Sequence, residues 1–198
     1  MKLIIASNNA HKIKEIKQIL GGIFSEVISM KDAGINHETI EDGKTFLENA
    51  AKKASELSEI SNSFAIADDS GISVDALDGA PGIYSARFCG RHGDDDANNA
   101  LLLEKLNGIT DRKAHYTCAI ALCTPSGDLY SAEGYLYGEI LSSPRGNNGF
   151  GYDPLFFVPQ KNQTVAELSS EEKNKISHRA NALLKLVDVL KSNGFQVN

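Results

Sequence analysis

Hydrophobic and polar positions come in blocks along the chain. Residues 2–6 are a short apolar run that ends at the polar turn Ser7-Asn8-Asn9 and reads as a buried strand. Ile13, Ile16 and Leu20 then recur at i, i+3 and i+7, one face of a helix. A second helix is predicted over residues 45–60, with Phe46, Ala50, Ala54 and Leu57 on its buried face. Residues 63–67 make a short apolar strand that stops at Asp68-Asp69-Ser70-Gly71, good turn chemistry. Asp94, Asp95 and Asp96 read as N-terminal caps for a helix ending near Leu106. Residues 116–124 and 129–137 predict a hairpin around Pro125-Ser126-Gly127-Asp128, and residues 155–158 a further strand. A last helix is expected to bury Ala180, Leu183, Leu184, Val187 and Leu190. Strands alternate with helices and no repeat or linker divides the chain, which predicts a single α/β domain over residues 1–198.

Composition narrows the function classes. At 198 residues, 41% hydrophobic and 23% charged, the chain has material for a sizeable core and too much apolar content for disorder. No run nears the roughly 18 unbroken apolar residues of a membrane helix, and the start reads as a strand and not a signal peptide, so no membrane partner is expected. A net charge of −6 argues against a nucleic-acid partner but permits a small anion held by a few local cations. Three cysteines offer neither a disulfide framework nor a zinc pattern, which points to free thiols in a reducing cytoplasm.

Four clusters carry candidate chemistry. Ser7, Asn8 and Asn9 lead from the first strand into a helix opening with Ala10, His11 and Lys12. A helix N-terminus there presents unpaired N–H groups to an anion, and Lys12 adds a full charge. Asp68 and Asp69, followed by Ser70, end a strand where α/β proteins place ligand groups; Glu38, Glu41 and Asp42 lie in a polar loop upstream. Carboxylates from two loops suit a Mg²⁺ ion that also takes phosphate ligands. A regular strand turns only one of Asp68 and Asp69 toward a site, whereas a turn beginning at Asp68 brings both inward. Glycines around Phe150, Gly151, Tyr152 and Asp153 allow close backbone approach, and the aromatics offer a stacking face. Finally, Lys173, His178 and Arg179 would point apart on one straight helix. Ser169 and Glu172 fit a capping box, and Ser177 can cap a fresh helix that places His178 and Arg179 in its first turn. Cations at that end oppose the dipole, a conflict that an anionic ligand offsets.

Together these clusters resemble the inosine triphosphate pyrophosphatase family, the Ham1-like noncanonical purine nucleoside triphosphatases. The resemblance rests on Ser7-Asn8-Asn9 with Lys12, Thr45-Phe46-Leu47-Glu48-Asn49-Ala50, Ala67-Asp68-Asp69-Ser70-Gly71 and Gly79-Ala80-Pro81-Gly82-Ile83-Tyr84-Ser85-Ala86-Arg87. It continues through Gly149-Phe150-Gly151-Tyr152-Asp153-Pro154 and Glu172-Lys173 with Ser177-His178-Arg179. The family's first loop reads Thr-Gly-Asn; here Ser7 keeps the hydroxyl, and Asn8 tolerates left-handed backbone better than most residues.

The resemblance implies a long, curved mixed β-sheet with flanking helices, two lobes and an active site in the cleft between them, usually in a homodimer. It implies a Mg²⁺-dependent hydrolase that cleaves ITP, dITP and XTP to the monophosphate and pyrophosphate, cleansing the nucleotide pool. Its substrate-contacting residues fall on Ser7, Asn8, Asn9, Ala10, His11, Lys12, Ser70, Phe150, Gly151, Tyr152, Asp153, Lys173, His178 and Arg179. Asp69 takes the place of the catalytic carboxylate, beside catalytic Lys12. Glu41 is its partner metal ligand, with Glu38 and Asp68 as alternatives. Whether Asp69 only holds metal or also deprotonates water stays open at this level. Two rivals remain: a Maf-like nucleotide pyrophosphatase, and a nucleotide-binding sensor that does not turn over.

Overall fold

A computed structural model describes residues 1–196. The first strand, β1 (Lys2–Ile5), leads into α1 (Ala10–Leu20), then β2 (Glu26–Ser29), α2 (Phe46–Ser61) and β3 (Phe64–Val74). After two short 3₁₀ turns come α3 (Asp95–Lys105), β4 (Lys113–Cys123), β5 (Leu129–Ile140), β6 (Phe156–Val158) and β7 (Gln163–Thr164). Two helices, α4 (Ser170–Ile176) and α5 (His178–Ser192), end the chain. The sheet is mixed and open, in the order β2-β1-β3-β4-β5-β6-β7. β1 pairs in parallel with β2 and β3, whereas β6 is antiparallel to β5 and β7.

The chain divides into two compact units. One comprises Met1–Asp69, Cys118–Gly134 and the chain from His178 on; the other comprises Ser70–Thr117 and Tyr135–Ser177. In the first unit the central strands β1, β3 and β4 carry apolar residues on both faces. Ile66, Cys118, Ile120 and Leu122 pack with Ile16 and Leu20 of α1 and with Leu183, Leu186 and Leu190 of α5. Their neighbours Ala67, Ala119, Ala121 and Cys123 face the other way, onto Ala50 and Ala54 of α2. The second unit has its own core, in which Ile72 and Val74 meet Leu102 of α3, Leu106 just after it, Tyr116, Tyr152, Leu155 and Phe156.

Two expectations are corrected. The strand predicted to stop at residue 67 runs on to Val74 through Asp68-Asp69-Ser70-Gly71, so this sequence is not a turn. Gly71 is needed for a different reason: a Cβ there would collide with Ser85 and the Gly82 carbonyl, where Ser85 Oγ accepts the Ile72 N–H at 2.9 Å. On α5, Leu184 is exposed and Ala182 and Leu186 are buried in its place. The strand β2 and the two-residue β7 are elements that the hydrophobic pattern did not mark. The predicted break in the last helical segment is present: Ser177, with ψ 153°, ends α4, and α5 begins at His178. The Ser169–Glu172 capping box forms as expected.

Candidate active site

In the first unit, continuous β-strand geometry sends Asp68 and Asp69 to opposite faces of the sheet. Asp68 shares the face of Ile66 and meets α1 and α5. Its Oδ2 accepts from Lys12 Nζ at 2.9 Å and from Arg179 Nε and Nη2, both at 3.1 Å. The remaining guanidinium nitrogen, Nη1, is 2.6 Å from Glu15 Oε2. Two cations and two carboxylates therefore cancel in one quartet, in which Asp68 and Arg179 are buried and Lys12 and Glu15 partly exposed. Burial pushes the Asp68 carboxyl up, but Lys12, Arg179 and Lys53 outweigh it and hold it well below the usual carboxylate range. Its Oδ1 is buried with no hydrogen-bond partner. The Cys118 thiol, 4.0 Å from Asp68 Oδ2, is pushed up to about 12 by burial and then by that charge, so it is no nucleophile.

Asp69 shares the face of Ala67 and meets α2. Its Oδ2 accepts from Asn49 Nδ2 at 3.1 Å, and its Oδ1 lies 3.4 Å from Lys53 Nζ. Lys53 also reaches Glu41 Oε1 at 2.9 Å, so Asp69 and Glu41 converge on one cation. Burial raises the Asp69 pKa; Lys53 opposes the rise, and Glu41 adds to it. Asn49 accepts the Gly43 N–H on its Oδ1 at 2.9 Å, which ties the Glu41 loop to the helix that orients Asp69. Of the alternatives for the second carboxylate, Glu38 is exposed, and Asp68 is committed to its two cations.

The first loop is preorganised by its own side chains. Asn9 caps α1, its Oδ1 accepting the His11 and Lys12 N–H groups at 3.0 and 3.3 Å, and Ser7 Oγ accepts the Asn9 N–H. Ala10 opens α1, His11 is exposed on it, and Asn8 stays out of the left-handed region.

In the second unit, Asp153 is buried and organises its loop. Its Oδ2 accepts from Lys173 Nζ at 2.7 Å and from the Phe150 N–H at 3.0 Å, while Tyr116 donates to Oδ1 at 3.2 Å. Lys173 Nζ lies 4.7 Å from the Phe150 ring centre, a cation–π contact. Tyr152 is in the core, its hydroxyl donating to the Ser85 carbonyl at 2.8 Å, so of the two aromatics only Phe150 is left to offer a face. Ser70 is half-buried in β3, and His178 is buried at the start of α5.

Sequence reading missed Glu15, Asn49 and Lys53. A signal existed for two of them: Phe46, Asn49, Ala50, Lys53, Ala54 and Leu57 fall on one helical stripe, so two polar residues interrupt a buried face. Asp95 was read as a cap, but Asp94 alone caps α3 through the Ala97 N–H.

Glu41 and Asp69 already point at a shared positive charge, and Mg²⁺ is held by one or two carboxylates plus phosphate oxygens and water. The donor pair therefore fits such an ion. Among the described residues no group of three or more His, Cys, Asp or Glu side chains forms a closed cage. Nor is any helix among them long and apolar enough to cross a membrane.

An open mixed α/β sheet with buried carboxylates, each bound to lysine or arginine, defines a class suited to polyanionic ligands. The Ham1 family model matches residues 3–189. A dITP/XTP pyrophosphatase of Clostridium perfringens is 53% identical over 96% of this chain and 97% of its own. One of Exiguobacterium is 54% identical over 94% and 95%. The Staphylococcus aureus Ham1 protein structure superimposes with a TM-score of 0.89 at 42% identity, covering 98% of this chain and all of that one. The chain belongs to the Ham1 family.

Proposed function

We propose that this protein hydrolyses noncanonical purine nucleoside triphosphates, ITP, dITP and XTP, to the monophosphate and pyrophosphate. The full-length similarity to enzymes named dITP/XTP pyrophosphatase supports this reading. The single structural observation that carries it is the Asp69–Lys53–Glu41 arrangement, in which a buried carboxylate is kept beside a cation and a second carboxylate. Cleavage between the α- and β-phosphates places negative charge on the bridging oxygen and the pyrophosphate, so catalysis is mostly positioning and charge stabilisation.

Lys12 and the first turn of α1 bind triphosphate oxygens, with Ser7, Asn8, Asn9, Ala10 and His11 shaping that end. Asp69 orients the attacking water and takes its proton. Asp69 and Glu41 are the residues that would hold Mg²⁺, which would supply charge neutralisation to the phosphates. At the base, Phe150 supplies a stacking face, and Gly151, Tyr152 and Asp153 hold its loop with Lys173. His178 and the first N–H groups of α5 offer donors to a 6-oxo group, and Ser70 contacts the nucleotide from β3. Arg179 meets the substrate by exchanging one of its carboxylate partners for it. Adenine's 6-amino group would leave such donors unpaired, at about 1–3 kcal/mol for each buried one. The enzyme acts as a homodimer in the cytoplasm, with Cys89, Cys118 and Cys123 as free thiols.

The test is to incubate the protein with ITP, XTP, ATP and dTTP plus Mg²⁺ and to detect pyrophosphate and orthophosphate separately. Pyrophosphate from ITP and XTP, abolished by a chelator, is expected. Pyrophosphate chiefly from dTTP would favour the Maf-like alternative, and tight binding of ITP without products would make the protein a sensor.

A further inference from the structure

We infer that Asp95 and Asn99 of α3 are positioning residues for base recognition, acting through the backbone of Gly151. This rests on the reading of Phe150 as the stacking face. Residues four apart on a helix lie on one side of it, and here that side grips a single residue. Asp95 Oδ2 accepts the Gly151 N–H at 2.7 Å, and Asn99 Nδ2 donates to the Gly151 carbonyl at 2.9 Å. Both peptide planes flanking Gly151 are therefore fixed from outside the loop, and one of these planes carries the carbonyl of Phe150.

The grip is not explained by helix capping or by packing. Asp94 already satisfies the start of α3 through the Ala97 N–H at 3.0 Å, so Asp95 is not needed there. The adjacent Asn98 serves a different segment, accepting the Cys89 N–H at 2.8 Å. Asn99 keeps its amide donor on Gly151 although its own Oδ1 is left buried with no hydrogen-bond partner, an arrangement that costs free energy.

Gly151 is also where the loop most needs a clamp. It has φ +62°, and Gly149 has φ +81°, so glycines in the left-handed region flank Phe150 on both sides. Within the loop, Asp153 holds the Phe150 N–H and Lys173 covers the ring. The α3 pair fixes the other end of the same short segment. Without it the two glycines let the ring tilt, and a tilted ring loses stacking on any base while the phosphate chemistry at Asp69 is untouched.

The experiment compares wild type with Asp95→Ala, Asp95→Asn, Asn99→Leu and Phe150→Ala. It reads kcat and KM for ITP and, by NMR, hydrogen exchange at the Gly151 amide. Loss of an interaction made equally in ground and transition states raises KM and leaves kcat. Asp95→Ala and Asn99→Leu should raise KM about tenfold, with kcat within about twofold, given what base–aromatic stacking is worth. Asp95→Ala should also expose the Gly151 amide. Asp95→Asn keeps a side-chain oxygen for that N–H and should restore both readouts. The proposal is overturned if Asp95→Ala frees the amide but leaves KM unchanged, or if Asp95→Asn is as defective as Asp95→Ala. If Phe150→Ala itself leaves KM for ITP unchanged, the stacking reading fails, and the clamp's role in recognition with it. A KM raised by Phe150→Ala but not by the α3 variants removes the clamp alone.

Discussion

Burial pushes the Asp69 carboxyl upward, Lys53 pulls it down and Glu41 pushes it up again, and burial is the largest of the three. An acid whose folded pKa is raised holds its proton more tightly in the folded protein. It contributes stability below its unfolded value and loses that contribution as pH rises through the folded value. At neutral pH the ionised Asp69 is therefore a net cost to folding, of the sort that proteins carry at functional positions. Asp69→Asn keeps the shape and the acceptor for Asn49 Nδ2 while removing the charge. The expected outcome is a rate lower by roughly 10³-fold or more, together with a melting temperature at pH 7 that is unchanged or higher. Kinetics with ITP and a thermal melt check this together. A variant that keeps a tenth of the activity, or that melts several degrees lower, contradicts the role assigned to Asp69.

Among the elements, α5 depends on one close approach. A Cβ on Gly134 of β5 would collide with the His178 carbonyl and with the backbone of Ala182, atoms that no rotamer change can move aside. Gly134→Ala must displace the start of α5 from the strand, and overpacking of this sort typically costs about 1–3 kcal/mol. Urea unfolding should show that loss, and because His178 and Arg179 ride on the same turn, kcat/KM for ITP should fall with it. Full activity in a Gly134→Ala protein would show that the helix start tolerates the shift. The periodic helices α1 and α2 and the β4–β5 hairpin were legible in the sequence because each buries a face set by local spacing, and α3 because its acidic start is a local signal. What was not legible depended on partners remote in sequence. Asp68 and Asp69 look like a turn because carboxylates seldom sit inside a strand; the cations that permit it, Lys12 and Arg179, lie 56 and 111 residues away. Leu184 was misplaced because the stripe of α5 is set by Leu183, Leu186 and Leu190, and one residue beyond Leu183 is a 100° turn away from it. The broken helix at Ser177 was legible because its caps are local, whereas the grip of Asp95 on Gly151 spans 56 residues.

For the molecule as a whole, acid stability divides between two adjacent carboxylates of opposite sign. Most acidic groups with lowered pKa values, such as Asp32, Asp42 and Glu171, are exposed, and their ion pairs are screened by solvent. Asp68 is buried against Lys12 and Arg179, so its folded value lies far below its unfolded one. A depressed acid contributes stability that is fully present above the unfolded value and is lost as pH falls toward the folded value, because only the unfolded chain takes up the proton. Below about pH 4 this one group should therefore weaken folding by up to about 1.4 kcal/mol per pH unit. Asp69 works the other way: acidification from neutrality protonates it in the folded state first and adds stability. The two together predict an optimum on the acid side of neutrality, with a steep decline below it. Urea unfolding from about pH 7 down to about pH 2.5 in wild type, Asp68→Asn and Asp69→Asn separates the contributions. Asp68→Asn should be less stable at neutral pH, since Lys12 and Arg179 lose a buried carboxylate partner, but its decline below pH 4 should be shallower than that of wild type. Asp69→Asn should lose the gain that wild type shows on acidification and keep the steep decline. If wild type and Asp68→Asn fall with the same slope in acid, the proton taken up on acid unfolding belongs to other carboxylates, and the Lys12–Asp68–Arg179–Glu15 quartet does not set the acid limit of the fold.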